Sequence, residues 1–364
     1  MRTKIIRTFH PVGQGAFYSE RINGFNFVYD CGTLSGIDKL KKIVTQSFSK
    51  KDTIDMLVIS HFDEDHVNMI PILKDSVKEI KNVLFPLMSD VQKAYILSLY
   101  SDASLYNIIL NPKAYFKEAN IIYVSPEYID NDNPPTDFRE LGSQIPSGTK
   151  IGIVGNEDWI YIPYNNDNEE KSRMIKSAFD EKVKTDDNFR INIYDKDDLI
   201  DKLRNKKTRT KIRKLYESVG GTNDNSLLIY SGPISRKSHR ISRIFRECEC
   251  SYPCCCHSSN YAGCIYTGDA TINEDVLPWI KKIKKSYDVG TIQIPHHGSA
   301  NSFAYELLLS GRFYCVISVG RINRNRHPSN KVLEDILLAN MIPILVTEAS
   351  HTFFMEYIVS RGWI

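Results

Sequence analysis

The sequence predicts an α/β layered fold, and three observations carry that expectation. Short runs rich in β-branched and aromatic residues at 25–29, 56–59, 227–230, 264–267, 291–294 and 314–319 read as strands. Helical apolar spacing lies between some of them, at 37–44 and 332–339. The chain also repeats itself loosely. In the first half one strand ends at Asp30-Cys31-Gly32 and a second at Ser60-His61; in the second half the corresponding ends are Gly268-Asp269-Ala270 and Pro295-His296-His297-Gly298. Asp30 and His61 stand 31 residues apart, Asp269 and His296 27 apart, so each half offers an Asp and a His where sheet folds place reactive side chains.

The 364 residues, 42% hydrophobic and 25% charged, read as a single domain over 1–364 with a real core. A net charge of +3 announces no polyanion partner by itself. No run of roughly 18 apolar residues occurs, which argues against a membrane span, and no apolar stretch of signal-peptide length follows the first residues. Five of the eight cysteines crowd between 248 and 256, so the expectation is reduced thiols in a cytoplasmic protein rather than a disulfide framework. The stretch 89–220 is highly charged. It is helical in pattern at 91–100, strand-like at 149–164, acid-rich over 165–201 and basic from 202. It reads as an insertion on the core fold and as a possible surface for a protein partner.

The densest chemistry is His61-Phe62-Asp63-Glu64-Asp65-His66, delivered by the apolar run 56–59. Imidazole and carboxylate are the usual ligands of catalytic zinc, manganese or iron. Packing so many of them past a buried strand is costly unless cations offset it. A lone His-Phe-Asp triplet would be a solvated loop; this density points to His61, Asp63, Asp65 and His66 as ligands. Asp269 follows a strand and a glycine, a setting that alone is as often a plain turn. His296 and His297 point in different directions, so one can hold a metal while the other meets substrate. Asp30 has the same strand-to-turn setting as Asp269 and is placed to orient a ligand.

His61-x-Asp63-x-Asp65-His66 resembles the His-x-His-x-Asp-His signature of metallo-β-lactamase-fold hydrolases, with Asp at the second His position. With Val12-Gly13-Gln14-Gly15, Asp30-Cys31-Gly32, Asn225-Ser226-Leu227, Thr267-Gly268-Asp269-Ala270, Pro295-His296-His297-Gly298-Ser299, Ser318-Val319-Gly320 and His327-Pro328, it resembles the soluble hydrolase domain of ComEC-type competence DNA-uptake proteins. The resemblance implies a four-layer αββα sandwich. It also implies one or two divalent ions, Zn²⁺ or Mn²⁺, and attack by a metal-bound hydroxide. Asp65, His66, Asp269 and His296 would form the better site, and His61 and Asp63, sharing Asp269, the second. Asp65, His297 and His327 would be the catalytic residues, the two histidines stabilising the transition state or protonating the leaving group. Pro11 and Ala16 stand where the family has acidic residues, and no channel segment accompanies the motifs. No histidine occurs between 67 and 221, so the third imidazole of a standard first zinc site is missing; a weak first site, Mn²⁺ or a single metal would each answer to that.

Two further segments carry charge or ligands. Residues 202–214 hold eight Lys and Arg with no acid among them, and Arg204, Lys207, Lys211 and Lys214 are candidates for a phosphate-backbone track. The same run reads equally well as a solvated face neutralised by the acids upstream. In the cysteine-rich loop 246–258, Cys248, Cys250, Cys254, Cys256 and His257 can close an additional structural zinc site, against a flexible reduced loop. The leading functional expectation is a metal-dependent phosphodiesterase or nuclease acting on nucleic acid or another polyanion, away from membranes. The alternatives are a same-fold hydrolase of a lactone, thioester or cyclic nucleotide, and a non-catalytic binding module in a larger complex.

Overall fold

The most apolar runs of the chain become strands with no solvent-facing side. Phe25–Cys31, Met56–Val58, Asn82–Pro86, Leu227–Pro233, Val289–Gln293 and Tyr314–Ser318 are buried along their whole lengths, the pattern of sheets covered on both faces. The computed structural model describes residues 4–100, 105–130, 133–153, 155–167, 169–186, 189–218, 226–235, 239–244 and 261–360.

Nine strands form the first sheet. Their order in space is Gln144–Ser147, Asn120–Tyr128, Asn82–Pro86, Met56–Val58, Phe25–Cys31, Phe17–Ile22, Lys4–Phe9, Phe354–Ser360 and His239–Ile244. The five from Gln144–Ser147 to Phe25–Cys31 run parallel and the remainder antiparallel. Eight strands form the second sheet, in the order Ile342–Val346, Tyr314–Ser318, Val289–Gln293, Gly263–Tyr266, Leu227–Pro233, Asn156–Asn165, Ile151–Ile153 and Thr136–Asp137. Its first four strands are parallel.

Strand periodicity sorts the core into three slabs. Phe27, Tyr29 and Val58 face Tyr161, Ile229, Tyr266 and Val316 between the sheets. Val28, Leu57 and Val83, one residue out of phase, pack outward on the helical residues Val44, Leu73, Ile96 and Ile212. Leu228, Ile265, Ile292 and Ile317 pack outward on Ile280 and Ile336. Three slabs between four layers make an αββα sandwich. The strands and helices expected from the sequence are all present with small shifts of their ends; the helix expected at 37–44, for example, is Ile37–Ser47.

The stretch 89–220 is not one appendage. Residues Asn120–Tyr128 and Gln144–Ser147 extend the first sheet, and Ile151–Ile153 and Asn156–Asn165 build into the second. The helical additions are Asp90–Leu99 with two short helices after it, and then Glu169–Thr185, Lys196–Arg204 and Lys206–Ser218. They share the apolar slab on the outer face of the first sheet.

A fully buried ionic knot ties the sheets together. Arg7 donates to Glu20 at 2.6 Å and to Glu356 at 2.6 Å, and reaches the Ala262 carbonyl of the second sheet side at 3.0 Å. Tyr161, Tyr266 and Ser231, all of the second sheet, donate to Glu20 at 3.0, 2.9 and 2.6 Å. No helix among the described residues is long and apolar enough to cross a membrane.

Candidate metal centre

Each half of the molecule delivers its Asp and His from two neighbouring parallel strands. Asp30 lies in Phe25–Cys31 and His61 follows Met56–Val58. Asp269 follows Gly263–Tyr266 and His296 follows Val289–Gln293. The loop carrying Asp63, Asp65 and His66 includes the short helix Glu64–Val67. Two glycines allow the chain to press against this loop: a Cβ at Gly15 would lie 2.8 Å from the Asp65 carbonyl oxygen, and one at Gly32 2.4 Å from the same group. Ala16 N–H donates to that carbonyl at 3.1 Å. The Val12-Gly13-Gln14-Gly15 and Asp30-Cys31-Gly32 motifs therefore serve the site as a backbone bed.

Four imidazoles are held by their Nδ1 atoms. Asp30 accepts from the Ser60 N–H at 2.7 Å and the Ser60 hydroxyl at 2.6 Å, and lies 2.8 Å from His66 Nδ1. A carboxylate only accepts, so His66 keeps a proton on Nδ1, and Nε2 is the atom that would give up its proton to a bound cation. His297 Nδ1 donates to the Ser318 carbonyl at 2.8 Å, and its Nε2 hydrogen-bonds Asp65 Oδ2 at 3.1 Å, so that nitrogen carries a proton which a bound cation would displace. His61 Nδ1 lies 2.9 Å from the Ser60 hydroxyl, whose own proton goes to Asp30, and His296 Nδ1 lies 3.0 Å from Ser302 Oγ.

The Nε2 atoms converge on two carboxylates. His66 Nε2 is 3.2 Å from Asp269 Oδ1, off the line a hydrogen bond needs; His61 Nε2 is 3.9 Å from Asp269 Oδ2 and 3.7 Å from Asp63. His297 Nε2 is 3.1 Å from Asp65 Oδ2 and 4.0 Å from Asp269 Oδ2, and His296 Nε2 3.8 Å from the latter. Two sets of three buried ligand atoms each lie within 4.8 Å of one another: His61, His66, Asp269, and Asp65, His66, His297. Ligands bonded at ~2.0–2.2 Å around a tetrahedral ion stand about 3.3–3.6 Å apart, so these spacings suit a cation. His61 Nε2, His66 Nε2 and Asp269 Oδ1 are buried without a hydrogen-bond partner among the described residues. Orphaned atoms of ligand type meeting at one point are what a divalent ion satisfies.

Charge accumulates accordingly. Burial opposes ionisation of Asp269, yet His66 and His297 hold its carboxyl well below the usual range. Asp65 is lowered too, burial being outweighed by the His297 hydrogen bond and by His66. Burial disfavours a charged His66, but Asp269 and Asp30 raise it well above its ordinary value.

The predicted residues fall into place unequally. His61, Asp65, His66, Asp269 and His297 meet, and Asp30 orients His66. Asp63 lies at the mouth with its side chain 36% exposed, and His296, at 41%, lines the rim. The sequence reading assigned the metal to His296 and the substrate to His297; here His297 reaches deeper. The His327 ring is 5.8 Å from that of His296, and burial, with His296 and His297 close by, lowers its pKa. Ser60, Ser302 and the Ser318 carbonyl, which fix the rings, were missed; small hydroxyls and backbone carbonyls give no pattern that marks them in a sequence. The cysteine set 248, 250, 254, 256 and His257 lies outside the described residues.

No family model matches the sequence, and no curated protein is significantly similar to it. Among solved structures, the chain is similar to the metallo-beta-lactamase fold protein YhfI from Bacillus subtilis over 97% of this chain and 99% of that chain, at 7% identity and a TM-score of 0.42.

The basic segment splits in two at Asn205, between the helices Lys196–Arg204 and Lys206–Ser218. Lys211 is committed to Asp186 at 3.2 Å. Arg204, Lys207 and Lys214 are exposed, Arg204 lying 3.9 Å from Asp201. Arg213 turns inward and gives two hydrogen bonds to the Ser98 carbonyl of Asp90–Leu99.

Proposed function

We propose that the chain is a metal-dependent hydrolase of the metallo-β-lactamase kind, cleaving phosphodiester bonds in nucleic acid with one or two Zn²⁺ or Mn²⁺ ions. One observation carries the reading: the unpartnered Nε2 atoms of His61 and His66 and Oδ1 of Asp269 meet beside Asp65 and His297, at facing strand ends of two sheets. A divalent cation bound there would supply Lewis acidity, polarising a phosphoryl oxygen and lowering the pKa of water.

The chain's own residues do the remaining work. An imidazole Nε2 has one lone pair, so His66 serves one ion only. Asp269 has two oxygens, one toward His66 and one toward His61, His296 and His297, and is the natural shared ligand if two ions bind. Asp30 and Ser318 keep the Nδ1 protons in place and the Nε2 atoms of His66 and His297 aimed inward. His296 and His327 at the rim are positioned to hydrogen-bond the phosphoryl group, and a neutral His327 suits that role better than full proton donation. Exposed Arg204, Lys207 and Lys214 would hold neighbouring phosphates. The buried free thiols of Cys31, Cys264 and Cys315 suit a cytoplasmic location.

The test combines metal content with turnover. In a Cys250→Ser, Cys254→Ser background, wild-type site residues should retain one or two ions by elemental analysis and cleave DNA or RNA with Mn²⁺ or Zn²⁺. Asp65→Ala with Asp269→Ala should lose both properties. Undiminished metal in that variant would sink the assignment. Turnover of only a cyclic nucleotide or small ester would replace nucleic acid as the substrate.

A further inference from the structure

The strand Ile342–Val346 closes one end of the second sheet, and among the described residues no strand pairs with its outer edge. The Ile342 N–H and the Val346 carbonyl bond inward, to Phe313 and Val319. Backbone groups alternate sides along a strand, so the Leu345 N–H and C=O and the Pro343 C=O face outward. Along this edge runs a cavity of about 450 Å³, a size that suits a ligand. Ile342, Ile344, Leu345 and Ala349 give it an apolar wall, while Arg321 and His351 bring polar side chains. The hydroxyls of Thr347 and Thr352, which also line it, lie 3.1 Å apart and bond each other. No carboxylate is among the described residues that line it. Glu348, in the turn after the strand, accepts the backbone N–H of Arg321 at 3.0 Å.

One loop fastens the cavity to the metal centre. At its first foot the Ser318 carbonyl accepts from His297 Nδ1 at 2.8 Å, and at its second the Ser329 N–H donates to the Gly298 carbonyl at 2.9 Å. Asn323 braces the loop from within: its amide donates to the carbonyls of Gly320 and His327, both at 2.9 Å, and accepts the His327 N–H at 2.7 Å. Arg321 stands three residues beyond Ser318, so their Cα atoms are at most about 11 Å apart. Exposed Arg324 and Arg326 follow, and the loop then sets the His327 ring 5.8 Å from that of His296. Positive charge therefore runs from the rim of the centre to the cavity.

We propose that this cavity is a nucleotide subsite of the metal centre, where an unpaired base of the bound strand lies against Ile342, Ile344 and Leu345 and Arg321 holds its phosphate. The proposal rests on the phosphodiesterase reading above. A base has a flat apolar face and an edge of donors and acceptors, which the apolar wall and the Leu345 N–H and C=O match. An open strand edge also suits an extended peptide; the arginine loop leading from the centre decides for a polyanion.

Arg321→Gln removes the charge, and Leu345→Glu sets a carboxylate on the apolar wall; both positions are exposed. The readout is kcat/KM on a short single strand, oligothymidylate or oligouridylate, divided by kcat/KM on bis(p-nitrophenyl) phosphate, which is too small to span centre and cavity. That ratio should fall about tenfold in each variant, the scale of one hydrogen bond to a charged group. An unchanged ratio overturns the cavity's role alone, including the case in which Leu345→Glu merely dissolves a dimer of the chain. Wild-type protein that cuts neither strand overturns the nucleic-acid reading, and the cavity's role with it.

Discussion

A single buried imidazole away from the metal centre sets a pH limit on the fold. His10 lies 2.8 Å from Ser19 Oγ and 3.3 Å from Ser47 Oγ and stacks on Phe17 at 4.0 Å. Burial, and then the charge of Arg21, lower its pKa from 6.5 to about 3. The unfolded chain takes up a proton below pH 6.5 that the folded ring refuses until about pH 3. The stabilisation is therefore complete above 6.5 and drains away as the pH falls through that window, at up to about 1.4 kcal/mol per pH unit. Urea unfolding of wild type and His10→Gln between pH 7.5 and 4 should show a lower plateau but a shallower acid slope for the variant; parallel slopes would remove His10 from the account. Residues of this kind differ in how far the sequence displays them. His61, Asp65, His66 and Asp269 stand out because charged ligand types in that density after a strand are expensive. Ser60 does not, because one serine after a strand is ordinary until its hydroxyl is seen between Asp30 and His61.

Among the elements, the buried strands were legible for a simple reason: a strand covered on both faces must be apolar throughout, and such runs are short and bounded. The helices of 169–218 were harder. Their charged faces point to solvent and read as composition rather than structure. Part of the acid-to-base switch is helix chemistry: Lys196–Arg204 is capped by the Asp195 side chain, begins with Asp197 and Asp198, and ends with Lys202 and Arg204. That order complements the helix dipole. The phosphate-track reading consequently falls on Arg204, Lys207 and Lys214, with Lys211 held by Asp186. Changing those three to Gln should weaken DNA binding and reduce the slope of log K against log salt by about 2–3, leaving the melting temperature and the rate at saturating substrate nearly unchanged. An unaltered salt slope would assign the segment to a solvated face.

At the scale of the whole molecule, the αββα order depends on how two sheets of different strand composition are held in register. The Arg7 knot does this with charge rather than packing alone. Replacing Arg7 by Met would leave Glu20 partnered only by hydroxyls and remove one of two cations from Glu356. Breaking a buried pair from one side typically costs about 3–5 kcal/mol. A loss of that size in denaturant unfolding of Arg7→Met is expected, and a loss below about 1 kcal/mol would mean that the knot is dispensable. Nothing in the sequence announces it, since its members are of common type; strand pairing sets Arg7 beside Glu20 and Glu356 in the first sheet, and only the closed sandwich adds Tyr161, Ser231 and Tyr266.

The position of the ligand atoms has a consequence for more than chemistry. His61 and His66 come from the first sheet and Asp269 and His297 from the second, so an ion shared among them is a stitch between distant parts of the polymer. From His66 to Asp269 it would close a loop of 203 residues, and closing a long loop removes chain entropy from the unfolded ensemble much as a covalent staple does. Stripping such an ion would unfasten the two sheets as well as silence the site.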